Sequence, residues 1–89
     1  MIDRIVLHPK FTRSYRKRIA PDKQLSLRTR QRIELFKHNP SHPILRNHPL
    51  QGEKGGFRSF SITGDVRIIY KIEGTIATFF DIGTHNQVY

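Results

Sequence analysis

The second half of the sequence contains three strand-forming segments in close succession, GFRSFSI, VRIIYKI and TIATFFDI. Apolar residues recur at alternate positions in these segments, which is typical of strands with one buried face. In the third segment we expect Ile76, Phe80 and Ile82 on one side. The connections TGD and EG are short enough for tight turns, which join antiparallel strands. These segments therefore predict an antiparallel sheet.

The first half predicts one strand and two helices. RIVLHP, at residues 4–9, is β-prone and ends at a proline that can begin a helix. Phe11, Tyr15 and Ile19 then recur every four residues and form an apolar stripe. Asp22 can cap the second helix, which ends at the dipeptide NP.

The order of these segments, β-α-α-β-β-β, predicts an α+β fold with two helices packed on one face of an antiparallel sheet. Between the second helix and the last three strands lies PSHPILRNHPLQGEKGG, at residues 40–56, with three of the five prolines and three of the six glycines. This composition predicts a loop, and long loops in compact domains are commonly functional. We find no internal repeat and expect a single domain over residues 1–89.

Charge is the strongest global feature of the sequence. Sixteen Lys and Arg against seven Asp and Glu give a formal net charge of +9 and a pI near 10.7 in a chain of 89 residues. A surface with this balance attracts polyanions, and nucleic acid is the first partner to consider. An acidic protein and an anionic membrane surface are the next partners to consider.

Other classes are disfavoured by what the sequence lacks. It contains no cysteine, so disulfides and thiolate metal sites are excluded. No window approaches the ~20 apolar residues of a membrane span, and the first residues do not read as a secretion signal. We expect a cytoplasmic protein that does not bind membranes.

The five histidines fall into three groups by their sequence context. His8 joins a strand to a helix and His38 ends a helix, so these two are interpreted as structural, whereas His42 is left undecided and is expected to be solvated. His48 lies in the long loop, and His85 follows the last strand. No zinc-binding spacing, phosphate loop or nucleophile elbow occurs, and we expect neither a metal nor a cofactor.

Acid–base chemistry on a bound polyanion remains, and RNA cleavage is a reaction of this kind. Imidazole can take or give a proton near neutral pH. Arginine is always charged and binds phosphate through two N–H groups. Ordinary structural roles stay open at this point, because Asp65 is a common turn residue, Tyr89 can cover a sheet edge and Arg67 can be a solvated strand residue.

Four segments together resemble the RelE/ParE superfamily of bacterial toxins, and most closely its YafQ branch. They are RIVLHPKFTRSYRKR, NHPLQG, GFRSFSITGDVRIIYKI and DIGTHNQVY, and they span nearly the whole chain in the family's order. The resemblance implies a RelE-like fold, a toxin of a type II toxin–antitoxin system, and ribosome-dependent cleavage of mRNA as an endoribonuclease (mRNA interferase). It also implies three partners, an acidic antitoxin, the ribosomal A site and mRNA.

The resemblance implies catalytic roles for four residues. His48 would assist proton transfer, and Asp65 would act as the general base or its partner. Arg67 would contact the scissile phosphate, and His85 would donate a proton. Lys54, Arg58 and Tyr89 would contact RNA.

Two positions depart from the YafQ pattern. Ser61 stands where those toxins often have another histidine, and Val66 stands where they often have tryptophan. One proton-transfer group is therefore missing, which leaves the identity of the general base open.

Three hypotheses follow. The first is a nuclease bound in the A site, with Arg13, Lys17, Arg28 and Arg32 contacting ribosomal RNA phosphates or, alternatively, forming a solvated basic face. The second is a ParE-like non-nuclease toxin that acts on DNA gyrase, against which His48, Asp65 and His85 argue. The third is a nucleic-acid-binding module without activity.

Overall fold

The computed structural model describes all of residues 1–89, as three helices and five strands. In chain order these are β1 Arg4–Leu7, α1 Pro9–Arg18, α2 Lys23–His38, β2 His48–Pro49, β3 Arg58–Ser61, β4 Val66–Glu73, β5 Ile76–Thr84 and α3 His85–Val88. Two short 3-10 turns, Pro43–Leu45 and Gly52–Lys54, interrupt the long loop. The predicted α+β fold is confirmed, and β2 and α3 are additions to it.

The sheet has the strand order β1-β5-β4-β3-β2. The last three strands pair antiparallel, as predicted, and β2 adds to β3 in the same way, whereas β1 pairs parallel to β5. The sheet is therefore mixed rather than wholly antiparallel. No hairpin joins β1 to β5, so tight-turn geometry does not constrain their relative direction.

The helix ends lie where the sequence places them. Pro9 is the first residue of α1, and the Nδ1 atom of His8 accepts a hydrogen bond of 3.1 Å from the backbone N–H of Lys10. The Asp22 carboxylate accepts one of 3.0 Å from the N–H of Leu25 and caps α2. These bonds satisfy N–H groups that have no partner within the helix.

The core lies between the two long helices and one face of the sheet. The ring of Phe36, on α2, stacks on Phe60 with the centroids 4.4 Å apart and meets Phe79 edge-on at 5.8 Å. Phe11, on α1, contacts the same Phe79 at 5.5 Å. Both helices thus pack on one face, as predicted.

A β-bulge changes which face the residues of β5 occupy. The register shifts between Ile69 and Tyr70 of β4, so that Asp81 and Phe79 pair with consecutive residues and Phe80 is the extra one. Phe79 is fully buried in the core, while Phe80 contacts Phe57 on the other side. The expectation that Phe80 shares a face with Ile82 was wrong.

Asp81 ties α1 to the second half of β5. Its buried carboxylate accepts a 2.6 Å hydrogen bond from the hydroxyl of Ser14 and lies 3.4 Å from the guanidinium of Arg18. Arg18 also donates to the carbonyl of Ile82 at 3.0 Å. The end of β5, where α3 begins, is held in place by these contacts.

His38 has the structural role that its position indicates. Its ring lies 3.2 Å from the Glu34 carboxylate one turn earlier on α2. This hydrogen bond, with the nearby charge of Lys37, holds the pKa of Glu34 below its usual range. None of the helices combines the length and the apolar composition needed to cross a membrane.

Candidate active site

The turn between β3 and β4 lies against the start of α3. The hydroxyl oxygen of Thr63 accepts hydrogen bonds from the N–H groups of Asp65 and Val66, which fixes the shape of the turn. The Asp65 carboxylate accepts a 3.4 Å bond from the backbone N–H of His85. Asp65 therefore touches the backbone that carries His85 rather than its imidazole.

The short helix α3 is fixed at its first residue by a capping box. The N–H of Thr84 donates to the side-chain oxygen of Gln87 at 2.8 Å, and the Thr84 hydroxyl accepts in return. The ring of His85 lies at right angles to that of Tyr89, with the centroids 4.5 Å apart. The imidazole is exposed and makes no hydrogen bond within the protein, so both ring nitrogens can reach a ligand.

Arg67, on β4, lies next to Tyr89 and the start of α3. It pairs with Gly83 across β4 and β5, beside the start of α3, and its guanidinium carbon lies 5.6 Å from the centre of the Tyr89 ring. We call Asp65, Arg67, His85 and Tyr89 the strand-end cluster. The family resemblance implied a functional role for each of these residues, and the structure brings all four together.

The donors of Arg67 are only partly used. Its Nη2 atom donates to the carbonyl of Gly64 at 3.2 Å, whereas its Nε atom is buried and has no hydrogen-bond partner. Buried polar atoms nearly always have a partner, and a charged donor without one is costly. The Nη1 atom of Arg67 is not buried and also has no partner in the protein, so the outer edge of the guanidinium can donate to an anionic ligand.

The long loop crosses toward this cluster. Leu50, Gln51, Glu53 and Lys54 line a cleft of about 370 Å³ together with Tyr89. Further along, the ammonium of Lys71 lies 4.4 Å from the ring centre of Phe57, at the end of the loop. Lys54 thus shares a cleft with Tyr89 of the strand-end cluster.

His48 lies on the same face of the sheet but does not contact the cluster. It pairs with Ser59 of β3, which pairs with Ile69 of β4, two residues from Arg67. Paired residues share a face, and two strand spacings separate His48 from β4 by roughly 10 Å. Its side chain is exposed.

The orientation of the His48 ring follows from its one hydrogen bond. The Nδ1 atom lies 2.7 Å from the carbonyl oxygen of Arg46. A carbonyl only accepts, so Nδ1 carries the proton and the neutral ring presents its lone pair at Nε2. His48 can therefore accept a proton at Nε2.

Arg58 does not lie with Lys54 and Tyr89, the other residues that the resemblance assigned to RNA contact. It alternates with Ser59 and so lies on the core face with Phe60, where its Nε donates to Asn47 Oδ1 at 3.1 Å and to Tyr70 Oη at 3.3 Å. Asn47 also accepts from Tyr70 Oη at 2.8 Å and donates to the Pro40 carbonyl at 3.0 Å. Sequence reasoning missed Asn47, whose only signal is that it precedes His48.

The remaining histidines have structural roles. His42, like His8, accepts a hydrogen bond at Nδ1 from a backbone N–H two residues ahead, here that of Ile44 at 3.1 Å. No group of three His, Asp or Glu side chains is arranged to hold a metal ion.

Comparison with known proteins decides the family. A family model described as a bacterial toxin of type II toxin–antitoxin systems, YafQ, matches residues 3–89. The chain belongs to the YafQ family. The superfamily and branch indicated by its four segments are thereby confirmed.

Solved structures of YafQ toxins share the fold. YafQ from E. coli strain BL21(DE3) superimposes with a TM-score of 0.82 at 22% identity, covering 100% of this chain and 99% of that one. YafQ in the E. coli DinJ–YafQ complex gives 0.80, also at 22% identity and the same coverage. A YoeB/ParE toxin from Agrobacterium tumefaciens gives 0.75 at 20% identity, covering 92% and 98% of the two chains. A search of curated proteins found no match.

Proposed function

We propose that this YafQ-family protein is a ribosome-dependent endoribonuclease that cleaves mRNA in the A site. The observation that carries the proposal is the guanidinium of Arg67. Its accessible Nη1 has no partner in the protein, and the guanidinium lies over the Tyr89 ring, which also contacts His85. A phosphate oxygen is the acceptor that such a group fits best.

The reaction requires two proton transfers and stabilisation of charge. A base removes the proton of the 2′-hydroxyl, and the 2′-oxygen forms a bond to the adjacent phosphorus. The bond from phosphorus to the 5′-oxygen breaks, and an acid protonates that oxygen. The products are a 2′,3′-cyclic phosphate and a 5′-hydroxyl, and Arg67 stabilises the charge that gathers on phosphorus. Acid–base catalysis by side chains suffices for these steps.

The positions of the two histidines favour one assignment of acid and base. The attacking and leaving oxygens lie on opposite sides of phosphorus, so the base and the acid approach from opposite sides. His48, on β2, and His85, after β5, flank the strand that carries Arg67. The free lone pair at Nε2 suits His48 to the role of base, and His85 then protonates the leaving oxygen. Asp65 positions His85 through its backbone.

The remaining groups bind the substrate in this proposal. The Tyr89 ring is 41% exposed and can stack on a base next to the cut, a contact worth roughly 1–3 kcal/mol in single-stranded complexes. Lys54, in the cleft beside Tyr89, contributes charge to the same strand. Arg58 takes no part, because its Nε is engaged on the core face.

The test is cleavage in a translating extract, with mapping of mRNA 5′ ends. We expect cuts only when ribosomes are present, and a loss of at least about 100-fold in rate for His85→Gln, which removes the acid. The matched control is His38→Gln, an exposed histidine on α2 whose ion pair adds little. Cuts without ribosomes, or undiminished cutting by the His85 variant, would overturn the proposal, and gyrase-dependent DNA breaks would favour a ParE-like activity instead.

We further propose an acidic antitoxin as partner, encoded with this toxin and acting in the cytoplasm. The E. coli relative is known as a toxin–antitoxin complex with DinJ, and a chain of net charge +9 favours an acidic binding segment. Association should slow steeply as ionic strength rises, which stopped-flow binding measures. A rate independent of salt would contradict this electrostatic account.

A further inference from the structure

A second cleft lies on the other side of the β3–β4 turn and is lined by three arginines. Arg28 and Arg32 occupy successive turns of α2, and Arg46 ends the first 3-10 turn. The hydroxyl residues Ser61 and Thr63 line the same cleft, which has a volume of about 390 Å³. No acidic side chain lines it. We call this the arginine cleft.

The three arginines line one cleft without an acidic partner, and only the Nε of Arg32 is engaged, by a 3.4 Å hydrogen bond to the Ile62 carbonyl. Arg28 and Arg32 are four residues apart on one helix and share a face. Neither they nor Arg46 takes part in a salt bridge. Like charges in one cleft repel each other, and a bound anion relieves this repulsion and stabilises the fold.

The backbone at Arg46 supports a functional reason for the arrangement. Arg46 has φ of 47° and is the only non-glycine residue with positive φ. This left-handed conformation is unfavourable for a residue with a side chain, and such strain is concentrated at functional sites. The carbonyl of Arg46 is also the group that orients the His48 ring. The same residue therefore links the arginine cleft to the candidate base.

We propose that the arginine cleft binds a backbone phosphate of the RNA strand that the strand-end cluster cleaves. This inference rests on the proposed function. The β3–β4 turn separates the two sites, and Gly64 both lines the arginine cleft and accepts a hydrogen bond from Arg67. Gly64 and Arg67 are three residues apart in the chain and so lie within about 10 Å of each other. The two sites therefore meet at this turn, and one RNA strand can contact both.

RNA fits the cleft better than an acidic peptide does. Guanidinium forks match phosphate oxygens in pairs, and serine and threonine hydroxyls are common additional donors to phosphate. The cleft also borders Gly64, whose carbonyl accepts a hydrogen bond from Arg67 of the strand-end cluster. Carboxylates can also pair with these groups, but an RNA strand bound at the strand-end cluster brings further phosphates to the neighbouring cleft, whereas an acidic peptide would have to bind there independently.

The experiment measures binding of uncleavable 2′-O-methyl RNA oligonucleotides of increasing length, without ribosomes, by fluorescence anisotropy. Affinity should rise once the strand is long enough to reach both sites. Replacing Arg28, Arg32 and Arg46 by glutamine should remove this rise and weaken long oligonucleotides at least about 10-fold. The slope of log affinity against log salt should fall by about 0.7 for each phosphate that the variant no longer binds.

The matched control replaces Arg4, Arg16 and Arg30 by glutamine. It removes the same charge from exposed positions outside the cleft and should keep the length-dependent rise. Lysine at positions 28, 32 and 46 should recover only part of the affinity, because it lacks the fork. Thermal melting verifies that each variant is folded.

Four results would overturn the inference. Equal losses in the two glutamine triples would mean a general electrostatic effect. If the variant of Arg28, Arg32 and Arg46 binds poly-glutamate more weakly but binds RNA as before, the cleft is a peptide site. If the variant is defective only in binding ribosomes, the cleft binds a phosphate of ribosomal RNA. An unchanged rise in the Arg28, Arg32 and Arg46 variant would mean no site at all. His85→Gln separates the two proposals, since it should abolish cleavage and leave oligonucleotide binding intact.

Discussion

At the scale of single residues, the structure distinguishes side chains that the sequence could not. Arg58 and Arg67 are both arginines on neighbouring strands, and both were expected to contact RNA. Strand alternation places Arg58 on the core face with two hydrogen-bond acceptors, and Arg67 on the other face with a buried donor left over. The alternation can be predicted from the sequence. The acceptors cannot, because Asn47 and Tyr70 lie 11 and 12 positions away from Arg58.

The unpaired donor of Arg67 predicts opposite effects on stability and activity. In Arg67→Met, the buried N–H disappears and the apolar stem is kept, so the free energy of unfolding should stay equal or rise by about 1 kcal/mol. Cleavage should fall at least about 100-fold with the loss of charge stabilisation. Urea unfolding and single-turnover cleavage measure the two effects. A variant that is both inactive and destabilised by several kcal/mol would indicate a structural role.

The hydrogen bonds of Asn47 connect the long loop to the core, and removing them should lower the free energy of unfolding. Asn47→Ala leaves the hydroxyl of the buried Tyr70 and the Nε of Arg58 without their shared acceptor, and we expect a loss of about 1–3 kcal/mol in unfolding free energy. Asn47→Asp keeps that acceptor and loses only the donor to Pro40, so it should be the milder change. Urea unfolding compares them, and equal losses would mean that the acceptor is not what matters.

At the scale of elements, the sequence predicted the features that depend on residues close to one another in the chain. The cap at Asp22, the proline that begins α1 and the stripe from Phe11 to Ile19 depend on neighbours within four residues, and both helices form as predicted. The parallel pairing of β1 with β5 and the bulge at Phe80 depend on partners distant in the sequence. Alternation in TIATFFDI gave no sign that one residue is extra, which is why Phe80 was assigned to the wrong face.

The packing of α3 against β5 predicts a requirement for glycine at position 83. A Cβ atom there would lie 2.6 Å from Gln87 Oε1 and 2.8 Å from the Arg18 guanidinium. Gly83→Ala should therefore push these two side-chain ends aside, which breaks the Gln87–Thr84 and Arg18–Ile82 hydrogen bonds and costs about 1 kcal/mol of stability. Gly64→Ala is the stability control, since its Cβ would meet nothing within 4 Å. Similar thermal unfolding of both variants would contradict the close packing of α3.

At the scale of the whole molecule, the sequence predicted the amount of positive charge but not its distribution. The fold concentrates four arginines around the β3–β4 turn, three in the arginine cleft and Arg67 in the strand-end cluster. These residues come from α2, the long loop and β4, and only the tertiary fold brings them together. The same turn carries Asp65, so the candidate catalytic group and the concentration of charge are parts of one end of the sheet.

This excess of charge predicts that salt stabilises the protein. The molecule measures 33 × 28 × 24 Å. At 0.01 M salt the Debye length is about 30 Å, so the excess positive charges repel one another across nearly the whole molecule. At 0.15 M salt the Debye length is about 8 Å, and only neighbouring charges repel one another. The melting temperature should therefore rise between these concentrations of NaCl. Replacing Arg4, Arg16 and Arg30 by glutamine lowers the net charge and should reduce the rise, as measured by circular dichroism. A melting temperature that falls with added salt would mean that ion pairs, rather than repulsion, dominate the electrostatics of this fold.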